Sequence, residues 1–592
     1  MITNRKNVDD LEKAKDYFFE GLDHLEKDDF IKAESAFRKS LEIVPDRESV
    51  LINLSATLIK LRDFEEALAI SSRLLGSNDE NPEAHVNLGL AYLHQKNFNN
   101  AVEHFDRAIQ LKPNYIEAWH NKGVSLYRTG HLEEALDCCD RITGINQEHV
   151  DALSLKGKIL NKLRRYEDAL VCLEIAIQLS PMDGRVLCTK GNSLYGLGRA
   201  QEALLAFDKA IELNSTIAEA FSNKGVVLNS LGRHMEAISC FDTAVSLDTD
   251  YSDAFANKGV TLSNLGLHRE ALIEYDKAVE KNKDNVNANW NKSLTELLLG
   301  NFNMGWNLYE YRWKTVGDGQ YRYPHIEELY SIKNIRNKKI LIWAEQGLGD
   351  TIQFSRYVPD LVKLGARITF EVQDVLFDLF NGQIDCEVIK RQHHQNEFDF
   401  QIPLLSLAKM FGTSNENIPE PISLQIQQKK VLTWRNKLQL SPEKINVGIA
   451  VSGNPKQNDN SVRSMPLRNI EPILRIAKVF LIQKDLNADD HKFLTGNPEI
   501  QYLGEDLDDF TDTAAVIGNM DLVISVCTSL IHIAGTLGKE SYLLCRYSPD
   551  WRWQLERSDS PWYKSVTILR QAQIGNWESV INQMKARLSA GI

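Results

Sequence analysis

From about Ala14 to Arg312 the apolar residues recur at helical spacing, in paired stretches divided by short polar turns. Small residues mark the pattern. Gly21, Ser55, Gly89, Gly123, Gly157, Gly191, Gly225, Gly259 and Ser293 follow one another in steps of 34. A second column holds Ala33, Ala67, Ala101, Ala135, Ala169, Ala203, Ala237, Ala271 and Gly305 at the same step. A third holds Phe37, Phe105, Phe207, Phe241 and Tyr275, with Ser71, Cys139, Leu173 and Tyr309 at its other positions. Pro45, Pro113 and Pro181 close three of the units. The pattern predicts a tandem array of helix hairpins. A Gly or Ser on the first helix, and an Ala twelve residues later on the second, supply the close helix contact. The bulky residue four positions on fills the next layer. "LGRHMEA" and "TGHLEEA" place glycine at the inter-helix turn, where a left-handed residue is cheap.

The period breaks at "KTVGDGQYRYPHIEELYSIKNIRNKK", which is aromatic and polar and reads as a packed connector. Short β-rich runs then alternate with helical stretches. "KILIW", "ARITFE", "CEVIK" and "DFQIP" form one strand series; "NVGIAVS", "KVFLIQ", "DLVIS" and "SYLLC" form another. Strands alternating with helices predict parallel sheets. The expected fold class is an α-solenoid followed by an α/β region of two Rossmann-like halves. Its expected parts are a repeat array over 1–313, a connector over 314–337, and halves over 338–430 and 431–592. Ligands of such folds sit at the carboxyl ends of strands.

Composition narrows the function. Net charge is −13, with 81 acidic and 68 basic residues and no basic stripe, so nucleic acid is a poor partner. "MITNRKNVDDLEKAKDYFFE" has no apolar leader core, and no run reaches the length of a membrane span, so a cytoplasmic location is expected. The eight cysteines contain no C-x-x-C pair, which points to reduced thiols and away from structural zinc. Asp506-Leu-Asp508 has the form D-x-D but follows no strand, and reads as a solvated turn. No metal is expected.

The candidate chemistry centres on "LIWAEQGLGDTIQF", Leu341 to Phe354. A dinucleotide fingerprint needs G-x-G-x-x-G. Gly347 and Gly349 fit, Ile352 takes the third glycine position, and Glu371 stands where a ribose-binding acid would. A plain tight turn, with Asp350 as helix N-cap, is the simpler alternative.

Resemblance adds a third reading. The 34-residue spacing resembles the tetratricopeptide repeat. Asn53, Asn87, Asn121, Asn223, Asn257 and Asn291 sit two residues before the small column, on the face that lines the concave surface in that family. A row of amides offers a donor and an acceptor at each step, which suits an extended peptide backbone. A similar ladder is known in O-linked N-acetylglucosamine transferases. Phe19, Leu155 and Thr189 interrupt the row. The neighbouring Lys122, Lys156, Lys190, Lys224, Lys258 and Lys292 read as solvated or snorkelling. In the second half, "AEQGLGDTIQFSRYVPDL" is similar to the Gly-Asp turn of heptosyltransferase-like (family nine) glycosyltransferases of GT-B fold. It is closer still to bacterial proteins that join such repeats to such a domain. "VGIAVSGNPKQNDNSVRSMPL", "DDFTDTAAVIGNMDLVISVCTSLIHIAGTLGK" and "SPDWRWQLERSDSPWYKSVTILRQ" resemble that family's later motifs, in order.

The resemblance implies a metal-independent, inverting glycosyltransferase. Its donor is a nucleotide sugar, and its acceptor is a protein captured by the repeats, flagellin being a plausible one. Asp350 maps to the proposed general base, which would take the acceptor hydroxyl proton. Glu345, Gln346, Gly347, Gly349 and Gln353 make up the acceptor-side turn. Ser452, Gly453, Arg463, Lys484, Thr528, Ser529 and His532 fall on the donor side, with Arg463 and the helix start after Thr528 facing the leaving phosphate. Cys527 departs from the family's aspartate and puts activity in doubt. The alternative is a repeat-based protein-binding scaffold whose α/β region is catalytically reduced.

Overall fold

The structure, a computed structural model, describes residues 2–315, 322–345, 347–391, 398–454 and 460–589. The chain divides into two compact units, Met1–Asp248 and Thr249–Ile592.

Among the described residues, the first unit is seven successive helix hairpins, from Ile2–Glu26 with Phe30–Ile43 to Ala218–Ser230 with His234–Leu247. The alanine column is fully buried. The glycine column answers chiefly to a different neighbour from the one expected. A Cβ on Gly89, Gly191 or Gly225 would lie 2.6, 2.6 or 2.7 Å from the ring of Phe105, Phe207 or Phe241, sixteen residues on. The glycine therefore makes room for the bulky residue of its own hairpin, and that pair is the close contact. At Gly123 the third column holds Cys139, and the nearest atom, Cys138 Cβ, is 3.3 Å away.

The turns repeat as well. Gly130, Gly198 and Gly232 lie in left-handed backbone. Asp28, Arg62, Lys96 and Arg164 take the same conformation at the same step without being glycine. The lysine column is neither free nor merely snorkelling. Lys122, Lys156, Lys190 and Lys224 pair with Asp106, Asp140, Glu174 and Asp208, at 2.6, 2.5, 3.4 and 2.6 Å. Each partner lies sixteen residues back, on the second helix of the preceding hairpin, so the pairs join neighbouring repeats.

The second unit begins with two more hairpins, Ser252–Asn264 with His268–Lys281 and Val286–Leu298 with Phe302–Tyr309. The period thus continues past the compact division. Its last hairpin is built into the α/β core: Leu297, Phe302, Trp306 and Tyr309 share one apolar cluster with Ile340, Phe354, Phe480, Ile531 and Trp551. Trp306 Nε1 donates to the Thr413 carbonyl at 2.9 Å. Tyr323, Ile326, Leu329 and Ile335 of the connector are also buried.

Ten strands follow: β1 (Lys339–Trp343), β2 (Arg367–Val372), β3 (Glu387–Lys390), β4 (Phe400–Pro403), β5 (Ile445–Ala450), β6 (Ala477–Leu481), β7 (Gln501–Tyr502), β8 (Leu522–Ser525), β9 (Ser541–Cys545) and β10 (Val566–Arg570). They form two parallel sheets, ordered β3-β2-β1-β4 and β10-β9-β8-β5-β6-β7. The eight expected strands are all present. The two unexpected ones are sheet edges. β7 is only two residues long and ends just before Asp506, so the D-x-D stretch does follow a strand, with Asp506 and Asp508 exposed, and β10 lies inside the stretch that reads chiefly as an aromatic motif. β1 and β8 are central strands, and each runs directly into a helix: Leu348–Phe354 after β1, Ser529–Thr536 after β8.

Candidate functional site

The helices that follow β1 and β8 pack against each other. A Cβ on Gly349 would meet His532 Cδ2 at 2.8 Å, so glycine is needed there to let the two turns meet. Asp350 is not the N-cap of its helix. Gly347 holds that position, and Asp350, three residues on, reaches back to accept the Gly347 N–H at 3.1 Å. This is the return half of a capping box, since glycine has no side chain to supply the other half. The other Asp350 oxygen accepts from Arg552 Nη2. The carboxylate is 17% exposed. Burial raises its proton affinity above the ordinary aspartate level, and the Arg552 charge offsets part of that rise.

Arg552 and Asp550 were not singled out in the sequence, and they organise the site. Arg552 Nη1 donates to both Asp550 oxygens at 2.9 and 3.0 Å, and Nε donates to Gln353 Oε1 at 2.7 Å. Burial works against the guanidinium charge, but Asp550 and Asp350 more than restore it. Burial also opposes ionisation of Asp550, yet Arg552 holds that carboxyl below the usual range. The signal in "SPDWRW" was an acid and a base set among tryptophans. Charges in a stretch that apolar must find partners when it is buried.

Cys527 Sγ accepts from Trp553 Nε1 at 3.2 Å. Burial, with Asp550 nearby, pushes its thiol up to about 12, so it stays protonated and is no nucleophile at neutral pH. His532 is buried, stacks on Trp553 and shares a 3.1 Å hydrogen bond with the Tyr563 hydroxyl. Burial and the Arg552 charge drive its pKa down to about 3, so it is a neutral ring. The Thr528 hydroxyl caps the following helix by accepting the Leu530 N–H at 3.3 Å, and Ser529 opens that helix. The Arg463 guanidinium lies against Gly453, where a Cβ would sit 2.4 Å from Nη2, and Nη1 donates to the Cys527 carbonyl at 3.4 Å. Contacts thus run from Arg463 to Cys527 and on to Trp553, whose chain neighbour Arg552 reaches Asp350.

Other expected site residues lie elsewhere or are engaged. The Glu345 side chain is turned into the core. It is buried in an ion pair with Arg312, at 2.6 Å, and accepts the Leu405 N–H at 2.9 Å. Gln353 is buried beneath Arg552. Gln346 falls outside the described residues. Ser452 is braced by Gln483, whose Nε2 donates to Ser452 Oγ at 2.9 Å. Lys484 is exposed, and its carbonyl accepts from the Tyr502 hydroxyl. A cavity bordered by Ser452, Gly453, Asn460, Arg468 and Lys492 opens beside the β5 turn, and Asp350, Thr528 and His532 do not line it. Glu371 cannot serve a ribose, because Arg322 and the Tyr323 hydroxyl occupy it at the buried end of β2. Among the described residues, no group of three His, Cys, Asp or Glu is placed to hold a metal ion.

The asparagine row is uneven. Asn53, Asn121 and Asn291 are half-buried and donate to the carbonyl four residues back on their own helices, at 2.7, 2.9 and 2.8 Å. Asn87 is buried and bonds the preceding repeat, at Ser55 Oγ and the Ile52 carbonyl, so it is a packing residue and no rung. Asn223 reaches Cys188 Sγ at 3.9 Å, and Asn257 is half-buried.

Three stretches, 82–115, 116–149 and 188–253, match tetratricopeptide-repeat family models. The chain is similar to Protein FlbA of Caulobacter vibrioides, 24% identical over 318 residues, which are 49% of this chain and 53% of that protein. It therefore spans about half the length of this curated relative. A solved tetratricopeptide-repeat protein from Parabacteroides merdae is 16% identical, with a TM-score of 0.38, over 42% of this chain and 99% of its own. YrrB, described as a repeat protein with an unusual peptide-binding site, is 27% identical, with a TM-score of 0.24, over 33% of this chain and 100% of its own. No described helix is long and apolar enough to cross a membrane. The chain carries tetratricopeptide repeats, a class of module that generally binds protein partners, and a region with two parallel sheets follows them.

Proposed function

We propose that the chain is a glycosyltransferase, moving a sugar from a nucleotide-sugar donor to a hydroxyl of a protein held by the repeats. The observation that carries this reading is the line from Arg463 to Asp350. At one end is a cation suited to a leaving phosphate, beside the N–H groups after Thr528. At the other is a partly exposed carboxylate suited to an acceptor's proton. The reading uses no metal, since Arg463 and the main-chain N–H groups take the phosphate charge. A flagellin-like protein is the acceptor that the resemblance offers. The test is a thermal-shift panel of UDP-, GDP-, ADP- and CMP-sugars, followed by intact mass of co-expressed candidate acceptors. Asp350→Asn should keep donor binding and stop transfer. Lack of any donor binding at millimolar concentration, or full transfer by Asp350→Asn, would sink the proposal.

One observation favours a second reading, a protein-binding scaffold with a reduced α/β region. Both Asp350 oxygens are engaged, and a protonated thiol stands at Cys527. Under that reading Asp350→Asn and the parent chain bind the same partner equally, and neither transfers a sugar.

A further inference from the structure

Arg552 touches two carboxylates and one amide, and each contact uses a different part of its guanidinium. Nη1 spans both oxygens of Asp550, Nε meets Gln353, and Nη2 meets Asp350. The Arg552 main-chain N–H adds a 3.0 Å bond to Asp550 Oδ1, and the guanidinium stacks on Trp551 at 4.3 Å. Asp550 thus holds Arg552 through three bonds and Asp350 through one. We propose that Arg552 is a positioning residue: it holds Asp350 at the crevice as a proton acceptor, and Asp550 balances its charge while Asp350 exchanges that bond for a substrate hydroxyl. The assignment of that hydroxyl rests on the transferase reading above.

The physical argument turns on what happens when the proton arrives. If Asp350 were the only carboxylate, protonating it would strand a buried guanidinium without a counter-charge, which is costly. With Asp550 present, Arg552 stays neutralised in both protonation states of Asp350. Asp350 also keeps lone pairs for a substrate, because each oxygen accepts one described N–H. The titratable groups around Arg552 leave Asp350 as the one poised to change. From the helix after β8, His532 is neutral; from the β8 turn, the Cys527 thiol is protonated; from the last repeat, burial raises Tyr309 out of the working range. Asp550 is held ionised, and Glu345, at the head of the turn, belongs to Arg312.

The experiment uses the full chain with Arg552→Met, Arg552→Lys and Asp350→Asn, alone and with Asp350→Asn combined with Arg552→Met. Unfolding is followed by tryptophan fluorescence, because every tryptophan but Trp119 lies in the second unit. Without Arg552 both carboxylates rise in the folded state, while the unfolded chain ionises as before. The stability lost in Arg552→Met should therefore grow as pH rises above about 4, the ordinary aspartate value. It should shrink when Asp350→Asn is already present, and Arg552→Lys should recover part of it. A loss that is equal at every pH, or unchanged in the Asp350→Asn background, overturns the proposal and leaves Arg552 a packing residue. Where a donor and acceptor turn over, Arg552→Met should move the acid limb of the pH–rate profile upward and Arg552→Lys should move it less. An unmoved limb in an active Arg552→Met protein also overturns it. Failure of the parent chain to turn over any nucleotide sugar counts against the transferase reading alone, since the unfolding arm needs no substrate.

Discussion

The first unit is held by contacts that recur, and the described residues of the second unit, past its two hairpins, are held largely by contacts that occur once. In the first unit a glycine meets a bulky side chain sixteen residues ahead, and a lysine meets an acid sixteen residues behind, repeat after repeat. In the second, Arg552 reaches Asp350 across 202 positions, and Arg356 reaches the Trp562 carbonyl across 206. Losing one recurring contact leaves its copies in place. A contact made once has no copy, so its loss falls on the whole core.

Arg312→Ala tests the singular side and should have the largest effect. It leaves Glu345 buried and unpaired at the head of the Asp350 turn, a loss on the order of 3–5 kcal/mol. Urea unfolding followed by tryptophan fluorescence should show it, and Arg312→Met with Glu345→Leu should recover most of it. A small loss for the single variant would place the second unit's stability elsewhere. The repeated side is tested by Gly191→Ala, which forces a methyl into the Phe207 ring and should cost about 1–3 kcal/mol. Gly123→Ala meets nothing nearer than Cys138 Cβ at 3.3 Å and Leu155 Cδ2 at 3.4 Å, and should cost clearly less. Circular dichroism unfolding ranks the two; equal losses would mean that the recurring pair is not what sets the glycine. The smallest effect belongs to Lys156→Met, which breaks a partly exposed pair with Asp140 worth roughly 0.2–1 kcal/mol. Its loss should fade in high salt. A salt-insensitive loss would assign the lysine's contribution to its apolar stem.

The same contrast explains what the sequence revealed. The repeat hairpins were legible because the side chains that make them recur at a fixed step. The charge pairs could have been read too: Asp106, Asp140, Glu174 and Asp208 keep the same period as the lysines. The glycine column was visible while its partner was misassigned, since spacing alone does not say which of two buried neighbours presses closer. Eight strands were legible from β-rich runs, and the two edge strands were not, one for its shortness and one for the aromatic residues around it. The site was half legible. Asp350 stood out in its turn, but Arg552 and Asp550, in the short turn after β9, come next to it only in the folded chain. Glu345 looked like a site residue because it adjoins Asp350; its true partner, Arg312, lies in the last repeat.

Arrays of this kind change length by copying or deleting whole units. The last hairpin, Val286–Leu298 with Phe302–Tyr309, is no longer interchangeable with the others, because Trp306 and Tyr309 pack on Phe354 and Trp551. Insertion or loss of a unit upstream of Asp248 leaves that keystone untouched. Grafting a foreign array at the end of the period, near Arg312, would tear it out. Lineages that share the α/β region should therefore vary in repeat number toward the N-terminus while keeping the final tryptophan and tyrosine.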